Sequence, residues 1–337
     1  MHAIVCREPG KLTLEERPEP RREPDEVLVQ IRRVGICGTD FHIYEGSHPY
    51  LDYPRIMGHE LSAEVLEAPD ASGLRSGQLV IVNPYLSCGT CHACRAGKPN
   101  CCMRIAVLGV HRDGGMCERL SLPPGNLYPA GDLSPDAAAS IEFLAIGAHG
   151  VERSGMTAGT PTLVIGAGPI GLGAAIFARI AGGSVTVMDR EPGRLAVGTK
   201  LSGAGGFILA DDQAANAVSA ATGGDGFDVV IDATGSRASM ENGFRYVAHG
   251  GTYVLLSVVR EEITFSDAEF HKRELTLMGS RNALKADFDH VLASIAAGRV
   301  PIAELITHRT TLGGAVTDMP RWATEKRDLV KAVIEVS

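Results

Sequence analysis

Three side chains in this sequence are of types that bind a transition metal and stand close together along the chain. They are Cys37, His59 and Glu60, in the runs Cys37-Gly38-Thr39-Asp40-Phe41-His42 and Gly58-His59-Glu60. A thiolate, an imidazole and a carboxylate suit zinc, and a zinc site that does chemistry keeps a further position open for water or substrate. Taken singly, a cysteine is ordinarily a small buried apolar group and a His-Glu pair an ordinary hydrogen-bonded one. The neighbours favour the metal: Gly38 and Gly58 allow tight turns, and Asp40 could accept the second N–H of His59.

A second set is more regular. Cys88, Cys91 and Cys94 make two successive C-x-x-C steps, and Cys102 follows after a loop containing Gly, Pro and Asn. Four thiolates at such spacing can close a tetrahedral cage with no open position, which is structural zinc chemistry. Cys101 competes with Cys102 for the fourth place, while Cys6 and Cys117 read as ordinary thiols.

A third set is a glycine loop, Gly166-Ala-Gly168-Pro169-Ile170-Gly171, which follows the apolar run Thr162-Leu-Val-Ile and opens an Ala-rich stretch. Strand, loop and helix in that order let backbone approach a pyrophosphate and present a helix N-terminus to it. A second strand, Ser184 to Asp189, ends in an acid 18 residues after Gly171. Asp189 there can accept ribose hydroxyls and would repel a 2′-phosphate, so NAD is expected over NADP. Arg190 and Arg194 soften that preference, because a guanidinium can bind the extra phosphate.

These groups need elements to hold them. Ala3 to Val5, Lys11 to Glu15, Glu26 to Val34, Leu61 to Ala68 and Gln78 to Val82 show strand patterns broken by Gly and Pro, predicting a mostly antiparallel, barrel-like domain. After Pro135 the character changes. Asp136 to Arg153 reads as a helix containing Glu142, either a capped or solvent-facing carboxylate or one reaching the open side of the metal. Strands at Phe227 to Thr234, Gly251 to Ser257 and Leu275 to Gly279, with helical runs among them, predict a parallel sheet covered on both faces. A helix over Phe288 to Ala297, a short extended piece at Ile306 to Arg309 and a strand at Val330 to Val336 close the chain.

The 337 residues suit about two domains. A formal charge of -8 without basic patches argues against nucleic acid and anionic lipid. No stretch approaches the roughly 20 apolar residues of a membrane span, and eight cysteines with this spacing read as ligands and free thiols, so a cytoplasmic protein is expected.

The order of Gly35-Ile-Cys-Gly-Thr-Asp-Phe-His42, Gly58-His-Glu60, the Cys88 to Cys102 array, Glu142 and Gly166 to Gly171 resembles the zinc-dependent medium-chain dehydrogenase superfamily over essentially the whole chain. The likeness is to its polyol, threonine and sugar-acid branch, which uses carboxylates at the positions of Glu60 and Glu142. Phe143 stands where a proline is usual, and Cys101 adds a thiol beside Cys102. The resemblance implies a GroES-like β-rich catalytic domain (residues 1–148 and 285–337) and a Rossmann doubly wound parallel-sheet domain (149–284). It also implies two zinc ions per chain, with Cys37, His59, Glu60 and Glu142 at the catalytic one and Cys88, Cys91, Cys94 and Cys102 at the structural one. Thr39 and His42 take the roles of a proton-relay pair, and Arg281 those of a substrate contact suited to a carboxylate.

The expected reaction is oxidation of a secondary alcohol by NAD, on a hexonate such as L-galactonate rather than a neutral polyol or L-threonine, in a homotetramer or dimer. A zinc- and NAD-binding redox sensor is the rival from outside enzymes, but a sensor needs no proton relay. An NADPH-dependent reductase is the rival within them.

Overall fold

The computed structural model describes residues 1–48, 51–325 and 328–336. The chain divides into two compact units, one of residues 1–142 with 292–337 and one of residues 143–291.

The first unit is built on a seven-stranded sheet. Its path runs Leu127–Pro129, Leu79–Val82, Glu60–Glu67, Val27–Ile36, Lys331–Glu335, Ile306–Thr311, and Arg119–Leu122 also pairs with Val27–Ile36. Alternation explains the long central strand: Val27, Val29 and Ile31 are buried while Leu28, Gln30 and Arg32 between them are only half-covered. Ile31, Val34, Leu61, Val80, Val82, Trp322 and Ile334 share its core. The pairing is antiparallel except at one place, where Ile306–Thr311 runs parallel to Lys331–Glu335. The helix Ala315–Thr324 makes the crossover that a parallel pair requires. This helix was not expected from the sequence, because Pro320 lies inside it and reads as a breaker. The Cys88 to Cys102 segment forms a separate lobe of two short helical turns, His92–Arg95 and Pro99–Cys101.

The second unit carries a six-stranded sheet, wholly parallel, in the order Gly206–Leu209, Ser184–Asp189, Pro161–Ile165, Phe227–Asp232, Val247–Leu255, Thr276–Gly279. Leu163, Ile165, Val230 and Tyr253 are buried in its core, as a sheet covered on both faces demands. The strand Gly206–Leu209 escaped the sequence reading because its exposed Phe207 and Leu209 leave only Ile208 buried. The expected helix over Asp136 to Arg153 is two helices, Pro135–Ala139 and Ile141–Ser154. They separate at Ser140, whose hydroxyl turns back to donate to the carbonyl of Asp136 at 2.9 Å.

Candidate metal centres and nucleotide site

Cys37 sits at the N-cap of the helix Gly38–Glu45, and the third residue of that helix, Asp40, does the positioning. Its buried carboxylate accepts the Cys37 N–H at 2.9 Å and the Gly58 N–H at 3.2 Å. One side chain thus ties the loop bearing Cys37 to the loop bearing His59. Ligand atoms of Cys37, His59 and Glu60 all lie within 4.8 Å of one another. His59 Nδ1 is 3.8 Å from Asp40 Oδ1, so the expected hydrogen bond between them is not formed and the contact is electrostatic. Burial disfavours the charged imidazole, yet Asp40 and the Cys37 thiol outweigh it and hold the His59 pKa well above the usual value.

The two expected carboxylates differ. Glu60 is fully buried, and both its oxygens lie 2.7 Å from Nζ of Lys331, itself 1% exposed. Glu142 is also buried; Tyr85 Oη donates to its Oε1, while Oε2 has no hydrogen-bond partner. Burial pushes the Glu142 carboxyl up to about 7, against the pull of nearby His59. Proximity therefore favours Glu60 as a ligand, since Glu142 is outside the set within 4.8 Å, whereas an uncommitted oxygen favours Glu142. Either way the donor set of thiolate, imidazole and carboxylate fits zinc.

Thr39 Oγ1 is 3.9 Å from Cys37 Sγ. His42 lies on the same helix with its side chain 62% exposed, and its Nδ1 meets Ser47 Oγ at 3.1 Å. Thr39 and His42 are not hydrogen-bonded to each other, so a relay between them needs a bridging hydroxyl.

The four lobe cysteines also come together within 4.8 Å. Sulfur separations are 3.5 Å for Cys91 to Cys94, 3.9 Å for Cys91 to Cys102 and 3.5 Å for Cys88 to Cys102. Four thiolates about 2.3 Å from a tetrahedral zinc stand about 3.8 Å apart, so the cage has the right size. Backbone N–H groups of Thr90 and Cys91 lower the Cys88 pKa to about 5, favouring the ligating thiolate. Arg104 Nη2 adds a donor to its sulfur at 3.3 Å. Cys101 is exposed and outside the cage. Burial raises Cys6 to about 11 and Cys117 to about 12, which leaves both as inert thiols.

In the second unit the glycine loop joins the strand Pro161–Ile165 to the helix Pro169–Ile180, with Gly168 as N-cap and Pro169 at its first position. A side chain at Gly171 would place Cβ 1.7 Å from the carbonyl oxygen of Gly166, so no other residue fits that turn. At Gly168 a Cβ would meet no protein atom, and the first turn of a helix is where backbone N–H groups can receive an anion. Asp189 ends its strand buried, accepting the Ala167 N–H at 2.7 Å and the Glu191 N–H at 2.9 Å. Each of its oxygens thus has one lone pair engaged in holding the loop. Arg190 is exposed and Arg194 half-buried nearby in sequence, and Arg281 is exposed just past the strand Thr276–Gly279.

Residues Lys331 and Tyr85 were not singled out from the sequence. A lone lysine in the apolar run Lys331-Ala-Val-Ile was the available signal for the first; Tyr85 offered none.

The fold and these centres define a zinc-type medium-chain alcohol dehydrogenase, and the chain belongs to that family. Residues 23–132 match the alcohol dehydrogenase GroES-like domain and residues 169–297 the zinc-binding dehydrogenase domain. The chain is 41% identical to the L-galactonate-5-dehydrogenase of Escherichia coli K12, over 99% of this chain and 98% of that one. Among solved structures, an alcohol dehydrogenase from E. coli CFT073 complexed with NADH superposes with a TM-score of 0.92 at 29% identity, covering 99% of both chains. A zinc-binding dehydrogenase from Sinorhizobium meliloti 1021 bound to NADP superposes with a TM-score of 0.89 at 29% identity, covering 99% of this chain and 98% of that one.

Proposed function

We propose that this enzyme oxidises a secondary alcohol of a sugar acid of the L-galactonate kind, transferring hydride to NAD, with one zinc at the Cys37–His59 centre and a second in the thiolate cage. The convergence of Cys37, His59 and Glu60 carries this reading, in a chain 41% identical to an L-galactonate-5-dehydrogenase. When bound, zinc lowers the pKa of an oxygen ligand toward neutrality and the oxidised nicotinamide accepts hydride. The chain's own residues do the rest. Cys37, His59 and a carboxylate from Glu60 or Glu142 would hold the ion; Thr39 accepts the substrate's hydroxyl proton while releasing its own through a bridging hydroxyl to His42, which passes a proton to solvent. Gly166, Gly168, Pro169, Ile170 and Gly171 cradle the pyrophosphate, and the remaining lone pairs of Asp189 accept from the adenosine ribose. Arg190 and Arg194 keep the preference for NAD from being absolute.

Arg281 pairs with the substrate carboxylate, for which a planar guanidinium is the fitting partner. The enzyme works as a cytoplasmic homotetramer, an assembly supported by the strand Thr276–Gly279, which has one neighbouring strand among the described residues and so leaves a sheet edge to pair. Among the described residues no helix is long and apolar enough to cross a membrane.

The deciding assay measures NADH formation with L-galactonate, related aldonates, sorbitol, galactitol and L-threonine. Cys37→Ala and His59→Ala should abolish turnover. Arg281→Ala should cost on the order of 2 kcal/mol or more in kcat/KM with an aldonate. Efficient oxidation of neutral polyols with aldonates ignored would overturn the substrate, and normal turnover by Cys37→Ala would overturn the centre.

A further inference from the structure

Arg281 stands in a segment that one helix holds on both sides. It lies between the strand Thr276–Gly279 and the helix Lys285–Ala296, and the next residue, Asn282, has φ +53°. A non-glycine residue in that left-handed region costs free energy and persists where the surroundings fix it. The fixing contacts come from His149 and Arg153, four apart and therefore neighbours on one face of the helix Ile141–Ser154. Before Arg281, Arg153 Nε donates to the carbonyl oxygen of Gly279 at 3.2 Å. After it, Asp287 Oδ2 accepts the Leu284 N–H at 2.7 Å, and His149 Nδ1 lies 2.9 Å from that same oxygen. Asp287 returns its own N–H to the Leu284 carbonyl oxygen at 3.0 Å, which closes residues 284 to 287 into a turn. His149 and Asp287 are both buried, so water is poorly placed to replace either partner if the other is lost.

We infer that His149 is a positioning residue for substrate recognition: through Asp287 it fixes the segment that carries Arg281, and so sets the aim of the guanidinium at the substrate carboxylate. This rests on the Arg281 contact proposed above. A guanidinium grips a carboxylate through two parallel N–H···O bonds, which requires a fixed plane as well as a fixed position. On a loosened segment the charge attraction survives but the two-pronged geometry does not, and a displacement of about 1 Å can cost on the order of a hundredfold in rate. Arg153 secures the strand end of the segment and the His149–Asp287 pair secures the helix end, so cutting either tie should act on the substrate through Arg281 alone.

The test is a double-mutant cycle between His149 and Arg281, measured with the aldonate that the wild-type holoenzyme oxidises best. His149→Leu should raise KM about tenfold while kcat stays within about twofold, and in the Arg281→Ala background the same change should move KM by less than about twofold. His149→Asn, whose amide nitrogen can stand near the place of Nδ1, should bring KM back to within about threefold of wild type. Arg153→Ala removes an exposed contact that folding does not depend on, and should raise KM by about threefold with the same coupling to Arg281. Hydrogen exchange in a peptide covering 280–287 should quicken in His149→Leu and not in His149→Asn. A His149→Leu effect of equal size with and without Arg281, or a folded His149→Leu protein with unchanged KM and unchanged exchange, overturns the inference. If Arg281→Ala alone costs nothing, the substrate contact is misassigned and both fall; if Arg281→Ala is costly and the cycle is additive, only the role of His149 falls.

Discussion

At Glu142 a neighbouring hydroxyl decides whether the carboxylate is in place. Tyr85 is buried and donates to one of its oxygens, so Tyr85→Phe leaves a buried acceptor without its donor. The expected cost is about 1–3 kcal/mol in the stability of the metal-free protein, and less when metal is bound. Chemical denaturation with and without zinc would check this, equal losses in both states being the contrary result. At Asp189 the proposed ribose contact would share its oxygens with a structural task, because they already accept the N–H groups of Ala167 and Glu191. Asp189→Ala should weaken NAD binding by about tenfold or more, about 1.4 kcal/mol, while affecting NADP less. It should also destabilise the second unit; titration of both nucleotides against a melting curve separates these effects. The types and spacing of Cys37, His59, Glu60 and the lobe cysteines were legible in the sequence because each set is local. Lys331 was not, since only the register of the strand Lys331–Glu335 on Val27–Ile36 brings it to Glu60. Asp40 was legible as a partner but with the wrong bond: it serves two backbone N–H groups rather than the imidazole.

Among the elements, the short helix Pro135–Ala139 is fastened by Asp136 to two strands, through Arg33 Nε at 2.8 Å and Arg309 Nη2 at 2.6 Å. Arg33 belongs to Val27–Ile36 and Arg309 to Ile306–Thr311, so the network joins early and late parts of the chain. Burial alone would raise the Asp136 pKa, but both guanidinium groups prevail and lower it below the ordinary 3.8. The sign follows: a depressed folded-state value stabilises above the unfolded pKa, and that contribution disappears as pH falls through the folded one. Asp136→Asn should therefore cost about 1 kcal/mol near pH 7, a figure discounted for partial exposure, and show a shallower loss of stability between about pH 5 and 3. Urea titrations across that range would test it, and parallel acid profiles would contradict it. In the lobe, Cys88→Ser should remove one of two zinc ions per chain and reduce folded yield far more than the intrinsic turnover of the surviving protein. Elements with clean periodicity, such as the other five strands of the parallel sheet, could be read directly. The helix Ala315–Thr324 and the strand Gly206–Leu209 could not, because a proline masks one and exposed apolar residues blur the other.

For the whole molecule, the division into residues 1–142 with 292–337 and residues 143–291 assigns each proposed ligand to one unit. All the metal-centre side chains belong to the first, and the glycine loop, Asp189 and Arg281 to the second. A ligand that binds only the folded form stabilises by an amount set by its concentration over Kd, about 2.7 kcal/mol at a hundredfold excess. The stabilisation falls first on the unit that holds the ligand. Zinc removal by a chelator should thus lower the thermal transition of the first unit, where the central strand Val27–Ile36 runs from the core to within one residue of Cys37. Saturating NADH should raise protection in the second unit, most in the strand Pro161–Ile165 and the helix Pro169–Ile180 that flank the glycine loop. Hydrogen exchange resolved by peptide distinguishes the two responses, with slowed exchange at 161–180 on adding NADH and accelerated exchange at 27–45 and 85–105 on chelation. Protection by NADH confined to the first unit would place the nucleotide away from the glycine loop and require a different cofactor site.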